Sequence, residues 1–118
     1  MTSGEVYRRI PPYYVGSKGQ ISYKAFRVRE EDNGGLSVDL DLKTAMANLK
    51  ELRSQKSEFS GFVLAALDVS RIRTEAPAWV RTPNKVGASH TRIENCSSID
   101  TQQALAAIAR ILPECPES

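Results

Sequence analysis

The residues best suited to chemistry lie between Ala88 and Cys96, a segment that contains the only histidine of the chain. If this segment is a β-strand, His90, Arg92 and Glu94 share one face, because side chains two residues apart project to the same side. An imidazole can exchange a proton near neutral pH, a guanidinium can bind phosphate through two hydrogen bonds, and a carboxylate can orient the imidazole. The spacing predicts a site for an anionic ligand, with His90 and Glu94 as candidate catalytic groups and Arg92 as a ligand contact. A solvated edge strand is the alternative.

Two other segments combine basic and aromatic side chains. The first lies near the N-terminus, and the second is a proline-flanked loop with one tryptophan. Guanidinium and ammonium groups attract phosphate, and aromatic rings stack on bases or anchor protein interfaces. The candidate ligand-binding residues in these segments are Arg8, Arg9, Tyr13, Tyr14, Trp79, Arg81 and Lys85. The alternative for Trp79 is a hydrophobic anchor that pins the loop to the domain.

The positive charge of the chain is concentrated at its start. The chain of 118 residues has a net charge of +2, yet residues 1–29 contain six basic residues against one acidic residue. Such a surface can steer phosphate-bearing partners towards the protein. The low net charge and the lack of a recognised nucleic-acid motif favour a protein partner, with a nucleotide or nucleic acid as the alternative. A simpler interpretation is that Arg27 and Arg29 pair across strands with Asp39 and Asp41.

The sequence lacks the motifs that are typical of several protein classes. No glycine-rich phosphate loop and no G-x-S-x-G motif is present, so we expect neither a cofactor nor a serine nucleophile. Cys96 and Cys115 lack the paired spacing of a zinc site, so we expect reduced thiols and no metal. The longest strongly apolar run, Phe62–Leu67, has six residues, whereas a membrane helix needs about 20. With no signal peptide in the sequence, we expect a cytoplasmic protein without a membrane segment.

Alternating patterns and turn residues predict the strands. The clean alternation of residues 36–42 follows the turn sequence E-E-D-N-G-G, which predicts a hairpin with a strand over residues 21–29. Residues 61–73 predict a long strand, central where it begins, and residues 88–96 predict the strand that carries the histidine.

Helical spacing of apolar residues predicts two helices. The first covers residues 43–54 and begins at an Asp41 cap, and the second begins at an Asp100 cap and is ended by Pro113. The expected fold class is α+β, with a small, mostly antiparallel sheet of about four strands and two helices packed on one face.

Composition favours one compact domain over residues 1–118. Hydrophobic residues make up 41% and charged residues 25% of the chain, as in ordinary globular proteins. We expect an extended N-terminal segment over residues 1–20 and a long loop over residues 74–87.

A resemblance can be drawn from short motifs. R-R-I-P at Arg8–Pro11, A-F at Ala25–Phe26, L-S-V-D-L at Leu36–Leu40 and a histidine before the last strand and helix are similar to a group of small bacterial proteins of uncharacterised activity. The resemblance implies a bacterial source and no particular chemistry. An ADP-ribosyltransferase-like enzyme, with an early arginine on phosphate and a later His or Glu on ribose, is a hypothesis by analogy alone.

We therefore expect a small binding or interaction domain that recognises a protein partner or a phosphate-bearing ligand. The site would lie where the N-terminal segment, the Trp79 loop and the His90 strand meet. The alternative is an enzyme acting on a nucleotide or phosphoester through His90, Arg92 and Glu94.

Overall fold

The computed structural model describes residues 4–28, 35–57, 60–83, 85 and 87–113. Within these ranges the strands are β1 (Glu5–Ile10), β2 (Leu36–Asp39), β3 (Val63–Asp68), β4 (Trp79–Val80), β5 (His90–Glu94) and β6 (Arg110–Ile111). The helices are α1 (Leu42–Gln55), α2 (Val69–Glu75) and α3 (Ile99–Ile108), and two 3-10 turns lie at Pro12–Tyr14 and Tyr23–Phe26.

The strands form one antiparallel sheet in the order β4-β5-β2-β1-β3-β6. The N-terminal strand β1 lies inside this sheet and pairs with β3 along its whole length, from Glu5 opposite Asp68 to Ile10 opposite Val63. Its pairing with β2 is limited to Tyr7 opposite Asp39. Beyond that pair, no main-chain ladder joins β1 to β2 in the described part of the chain.

Strand β3 is apolar on both faces, and each face of the sheet has its own core. On one face, Val6 and Leu67 pack with residues of α2 and α3. On the other face, Leu64 packs with Ala45 and Leu49 of α1. Because side chains alternate along a strand, the buried run Leu64–Leu67 in β3 supplies both cores.

The α+β class and the antiparallel sheet are confirmed, but the prediction of four strands and two helices on one face differs from the structure. The sheet has six strands among the described residues, and α1 packs on the face opposite α2 and α3. A strand that is buried on both sides needs a covering layer on each side, which explains the division of the helices.

The predicted hairpin is wrong. Residues 23–26 form a 3-10 turn that Ser22 caps, and β2 pairs with β1 and β5 instead of with residues 21–29. Ala25 and Phe26 are neighbours and both are buried, which a turn permits and a half-buried strand does not. Arg27 follows this turn and lies in no strand, so its predicted cross-strand pairing is wrong, and the same prediction for Arg29 lies outside the described residues.

The long strand predicted over residues 61–73 ends early. Asp68 accepts hydrogen bonds from the backbone N–H groups of Ser70 and Arg71, at 2.9 and 3.4 Å, and so caps α2. Helix α2 and strand β4 also shorten the loop predicted over residues 74–87, and the segment predicted as extended over residues 1–20 contains the inner strand β1.

Helix α1 agrees with its predicted range and Asp41 cap, whereas α3 differs at both ends. The N-cap of α3 is Ser98, whose hydroxyl accepts from the backbone N–H of Thr101, rather than Asp100. The helix ends at Ile108, and Arg110–Ile111 forms the edge strand β6 on β3, well before Pro113. No helix in the described ranges combines the length and hydropathy needed to cross a bilayer.

The cap of α3 gives a test of these boundaries. Replacing an N-cap serine by alanine removes one hydrogen bond from the first turn, so Ser98→Ala should lower the free energy of unfolding by about 1 kcal/mol in urea titrations. Ser97→Ala, a neighbouring exposed serine, is the control and should change stability by less than about 0.5 kcal/mol. Equal effects of the two substitutions would contradict the assignment.

The dependence of the unfolding free energy on pH in acid gives a second test. Hydrogen bonds from the hydroxyls of Thr44 and Ser70 are the main cause that holds the pKa of Asp41 and Asp68 below their ordinary value of 3.8. A carboxyl with a lowered folded pKa contributes stability above its unfolded pKa, and that stability is lost as the pH falls through the folded value.

We therefore expect unfolding free energy, measured in urea, to fall below about pH 4. Asp68→Asn keeps a capping side chain that does not titrate, so its loss over this range should be smaller. Parallel pH curves for the two proteins would contradict the assigned role of Asp68.

Candidate functional site

A cleft of about 570 Å³ lies where β1 and β2 lose their main-chain pairing. Its walls come from both strands, the Tyr23–Phe26 turn, and residues next to α1 and β3. Its charged and aromatic lining residues are Tyr7, Arg8, Arg9, Tyr14, Lys24, Arg27, Asp39, Phe62 and His90. Among the described residues, four permanent cations and one carboxylate therefore line the cleft.

Arg8 takes the place of the missing main-chain bonds between β1 and β2. Its Nε donates to the carbonyl oxygen of Ala25 at 3.1 Å, and its Nη1 donates to that of Ser37 at 2.9 Å. One guanidinium thus connects β1, β2 and the Tyr23–Phe26 turn. The guanidinium therefore braces the wall of the cleft, and Arg8 also lines the cleft itself.

Arg9 approaches the cleft from the other face of the sheet, because consecutive strand residues project to opposite sides. The cleft reaches both arginines because it lies between the separated strands. Arg9, Lys24 and Arg27 are exposed, and their side chains make no hydrogen bond or ion pair with another described residue. Their charges are therefore open to an anion.

One end of the cleft, here called the apolar end, is formed by Pro11, Tyr14, Leu52 and Phe62. The Tyr14 ring is supported by Tyr13, with ring centroids 4.7 Å apart in an edge-to-face arrangement. The turn that carries both tyrosines lies tight against Gly61, where an added Cβ would stand 3.0 Å from Pro12 Cγ.

Phe62 is held by helix α1 at this same end. Its carbonyl oxygen accepts from Arg53 Nε at 3.0 Å. Because Phe62 directly precedes β3 and Pro11 directly follows β1, the antiparallel pairing of these strands brings the two residues to one end of the sheet.

The opposite end of the cleft contains Asp39 and His90, which are cross-strand neighbours on β2 and β5. The Ser89 hydroxyl donates to Asp39 Oδ1 at 3.2 Å and accepts from the backbone N–H of Asp41 at 3.2 Å. These bonds fix the start of β5 against the end of β2, and the exposed His90 side chain lies at the rim.

The predicted common face of His90, Arg92 and Glu94 is confirmed, since Thr91 and Ile93 between them are buried. His90 and Glu94 are nevertheless four residue steps apart along the strand, or about 13 Å, too far for a hydrogen bond. Glu94 instead lies 3.6 Å from Arg81 and 3.9 Å from Arg92. Its carboxylate ties β4 to β5 and cannot orient the imidazole.

The expected meeting of three segments is only partly present. Among the residues predicted to form a site, Arg8, Arg9, Tyr14 and His90 line the cleft, and Tyr13 supports it. Trp79, Arg81, Arg92 and Glu94 lie on β4 and β5 instead, and Lys85 lies exposed in the loop between these strands.

Sequence reasoning missed Lys24, Arg27 and Phe62 as site residues. Lys24 lies in the 3-10 turn and Arg27 directly follows it, and their three-residue spacing, the period of such a turn, is the signal that the sequence carries. That signal was hidden because residues 21–29 were predicted as a strand.

Other chemistry is limited in the described residues. Burial raises the pKa of the Cys96 thiol to about 12, so the thiol is protonated at neutral pH and unsuited to nucleophilic attack. The other cysteine of the chain, Cys115, lies outside the described residues. Within those residues no three His, Cys, Asp or Glu side chains gather as metal ligands. No protein-family model, curated protein or solved structure matches the chain.

The bracing role of Arg8 can be measured directly. Arg8→Ala leaves the carbonyl groups of Ala25 and Ser37 without their charged donor, so we expect a loss of about 1.5–3 kcal/mol of unfolding free energy in urea. Arg9→Ala removes an equal charge from an exposed position and should change stability by less than about 0.5 kcal/mol. Similar losses for both variants would contradict the bracing role.

Proposed function

We propose that the protein is a small cytoplasmic binding domain that takes a phosphate-bearing ligand in the cleft between β1 and β2. The observation that supports this function best is the balance of charge at the cleft. Among the residues that the structure describes, Arg8, Arg9, Lys24 and Arg27 line it, and Asp39 is the one acidic lining residue.

The cations are arranged to surround an anion. Arg8 and Arg9 come from β1, while Lys24 and Arg27 come from the segment on the other side of the cleft. A phosphate group could accept hydrogen bonds from two sides, and the arginine forks suit its oxygens geometrically. Asp39 already accepts a hydrogen bond from Ser89, which reduces its competition for the cations.

The size of the cleft favours a small ligand. Pockets for small molecules and cofactors usually measure about 300–1,000 Å³, and this cleft has about 570 Å³. It is bordered by rigid elements, with strands on two sides and α1 at one end, so the walls are held by the fold.

A protein partner stays a prediction with weaker support. Among the described residues, the most exposed aromatic side chains are Tyr13, 75% exposed, and Trp79, 50% exposed. Strand β4, which carries Trp79, lies three positions from β1 in the sheet, or about 14 Å. Trp79 therefore does not form one patch with the N-terminal tyrosines. The hot spots of a protein interface usually cluster near its centre.

Binding of inorganic tripolyphosphate, followed by calorimetric titration, tests the proposal. Arg9→Gln and Arg27→Gln should each weaken binding by about tenfold, or about 1.4 kcal/mol, because each removes a charge-assisted hydrogen bond. Lys85→Gln also removes one positive charge, but outside the cleft, so its affinity should stay within about twofold of wild type.

The affinity of the wild-type protein should also fall as the salt concentration rises, since exposed charges are screened. Equal weakening by Arg27→Gln and Lys85→Gln would mean that only net charge matters, and no heat of binding at low salt would overturn the proposal.

A phosphoester-cleaving enzyme is a second candidate function, because the His90 imidazole lies at the rim of the same cleft. A histidine at this position could transfer a proton to a leaving group near neutral pH. In this case His90→Ala would retain ligand binding and lose turnover of a nucleotide or phosphoester. Turnover that persists in His90→Ala would exclude the histidine as the catalytic group.

A further inference from the structure

We infer that the ligand is a single nucleotide, with its planar base against the apolar end of the cleft and its phosphates among the cations. This inference rests on the proposed phosphate-binding function and adds the chemical class of the ligand. It depends on the two chemically different ends of one cleft.

The two ends are separated by a length that suits an elongated molecule. Along β1, Tyr7 lies at the polar end and Pro11 at the apolar end, and four residues of strand span about 13 Å. Arg8 and Arg9 lie between them. A phosphate group alone would engage the cations and leave the rings of the apolar end uncovered, whereas a nucleotide would contact both.

Both aromatic residues at the apolar end contact other parts of the fold. Tyr14 packs against Tyr13, and the backbone of Phe62 is bound by Arg53. Both Tyr14 and Phe62 are half-buried, so each ring keeps part of its surface for a ligand. Stacking of a base on such rings typically changes affinity by about 5- to 150-fold.

A single nucleotide fits these observations better than a nucleic-acid strand. A strand would need further cations outside the cleft to follow its backbone. On the neighbouring face of β4 and β5, Arg81 and Arg92 both lie next to the carboxylate of Glu94. The open cations Lys24 and Arg27 lie at the cleft itself.

The test compares ligands that share a phosphate chain but differ in the ring. Calorimetric titrations with ATP, GTP, CTP and UTP, each without divalent cations, are set against inorganic tripolyphosphate at the same ionic strength. At least one nucleotide should bind five or more times more tightly than tripolyphosphate, with the excess coming from ring contact.

Variants that lack an aromatic ring show which residues cause the tighter binding of a nucleotide relative to tripolyphosphate. Tyr14→Leu and Phe62→Leu keep an apolar side chain, and each should reduce the nucleotide advantage at least about threefold while leaving tripolyphosphate affinity within about twofold. Trp79→Leu removes an exposed ring outside the cleft and should preserve the advantage. A melting curve for each variant shows whether it is folded, and Tyr14→Leu serves alone if Phe62→Leu is unfolded.

Each outcome decides between the two proposals. Equal affinity for tripolyphosphate and all four nucleotides overturns the nucleotide inference and leaves phosphate binding intact. Binding of a ten-residue oligouridylate more than about tenfold tighter than any nucleotide overturns the inference in favour of a strand. Failure of every phosphate compound to bind overturns the proposed function itself.

Discussion

The bridge made by the Arg8 guanidinium is the interaction on which the site depends. Strands β1 and β2 are neighbours in the sheet but share a single residue pair, so their remaining main-chain groups need other partners. Arg8 supplies donors to the carbonyl groups of Ala25 and Ser37 and holds the two walls at the distance set by one side chain. Continuous pairing of the strands would close the cleft, while an apolar residue at position 8 would leave the two acceptors unsatisfied.

This constraint explains why the charges collect at one place. A gap inside a sheet exposes side chains of both faces, so Arg8 and Arg9, which alternate along β1, can reach the same volume. The turn that accepts from Arg8 also carries Lys24 and Arg27, so one structural contact positions three of the four cations. Mutual repulsion among these cations is reduced when a polyanion lies between them, and this electrostatic gain is the physical basis of the proposed binding.

Local patterns predicted α1 and the common face of His90, Arg92 and Glu94, because capping, helical spacing and strand alternation involve nearby residues. Helix α2 was missed because Arg71, Ile72 and Arg73 also alternate in polarity as a strand does, and the Asp68 cap decided the outcome. The cleft could not be predicted, since it depends on which distant strand pairs with β1 and where that pairing stops. The predicted interaction of His90 with Glu94 is absent for a simpler reason. A strand rises about 3.3 Å per residue, so residues four positions apart are too distant for a hydrogen bond.

The most direct test of the account is to map where a phosphate ligand binds. Nuclear magnetic resonance spectra of the backbone amides and arginine Nε–H groups, recorded during titration with tripolyphosphate, report on each position separately. If phosphate binds in the cleft, the largest shift changes fall at Arg8, Arg9 and Arg27, with small changes at Trp79 and Arg92. Changes concentrated on β4 and β5, with the signals of the cleft arginines unmoved, would contradict it.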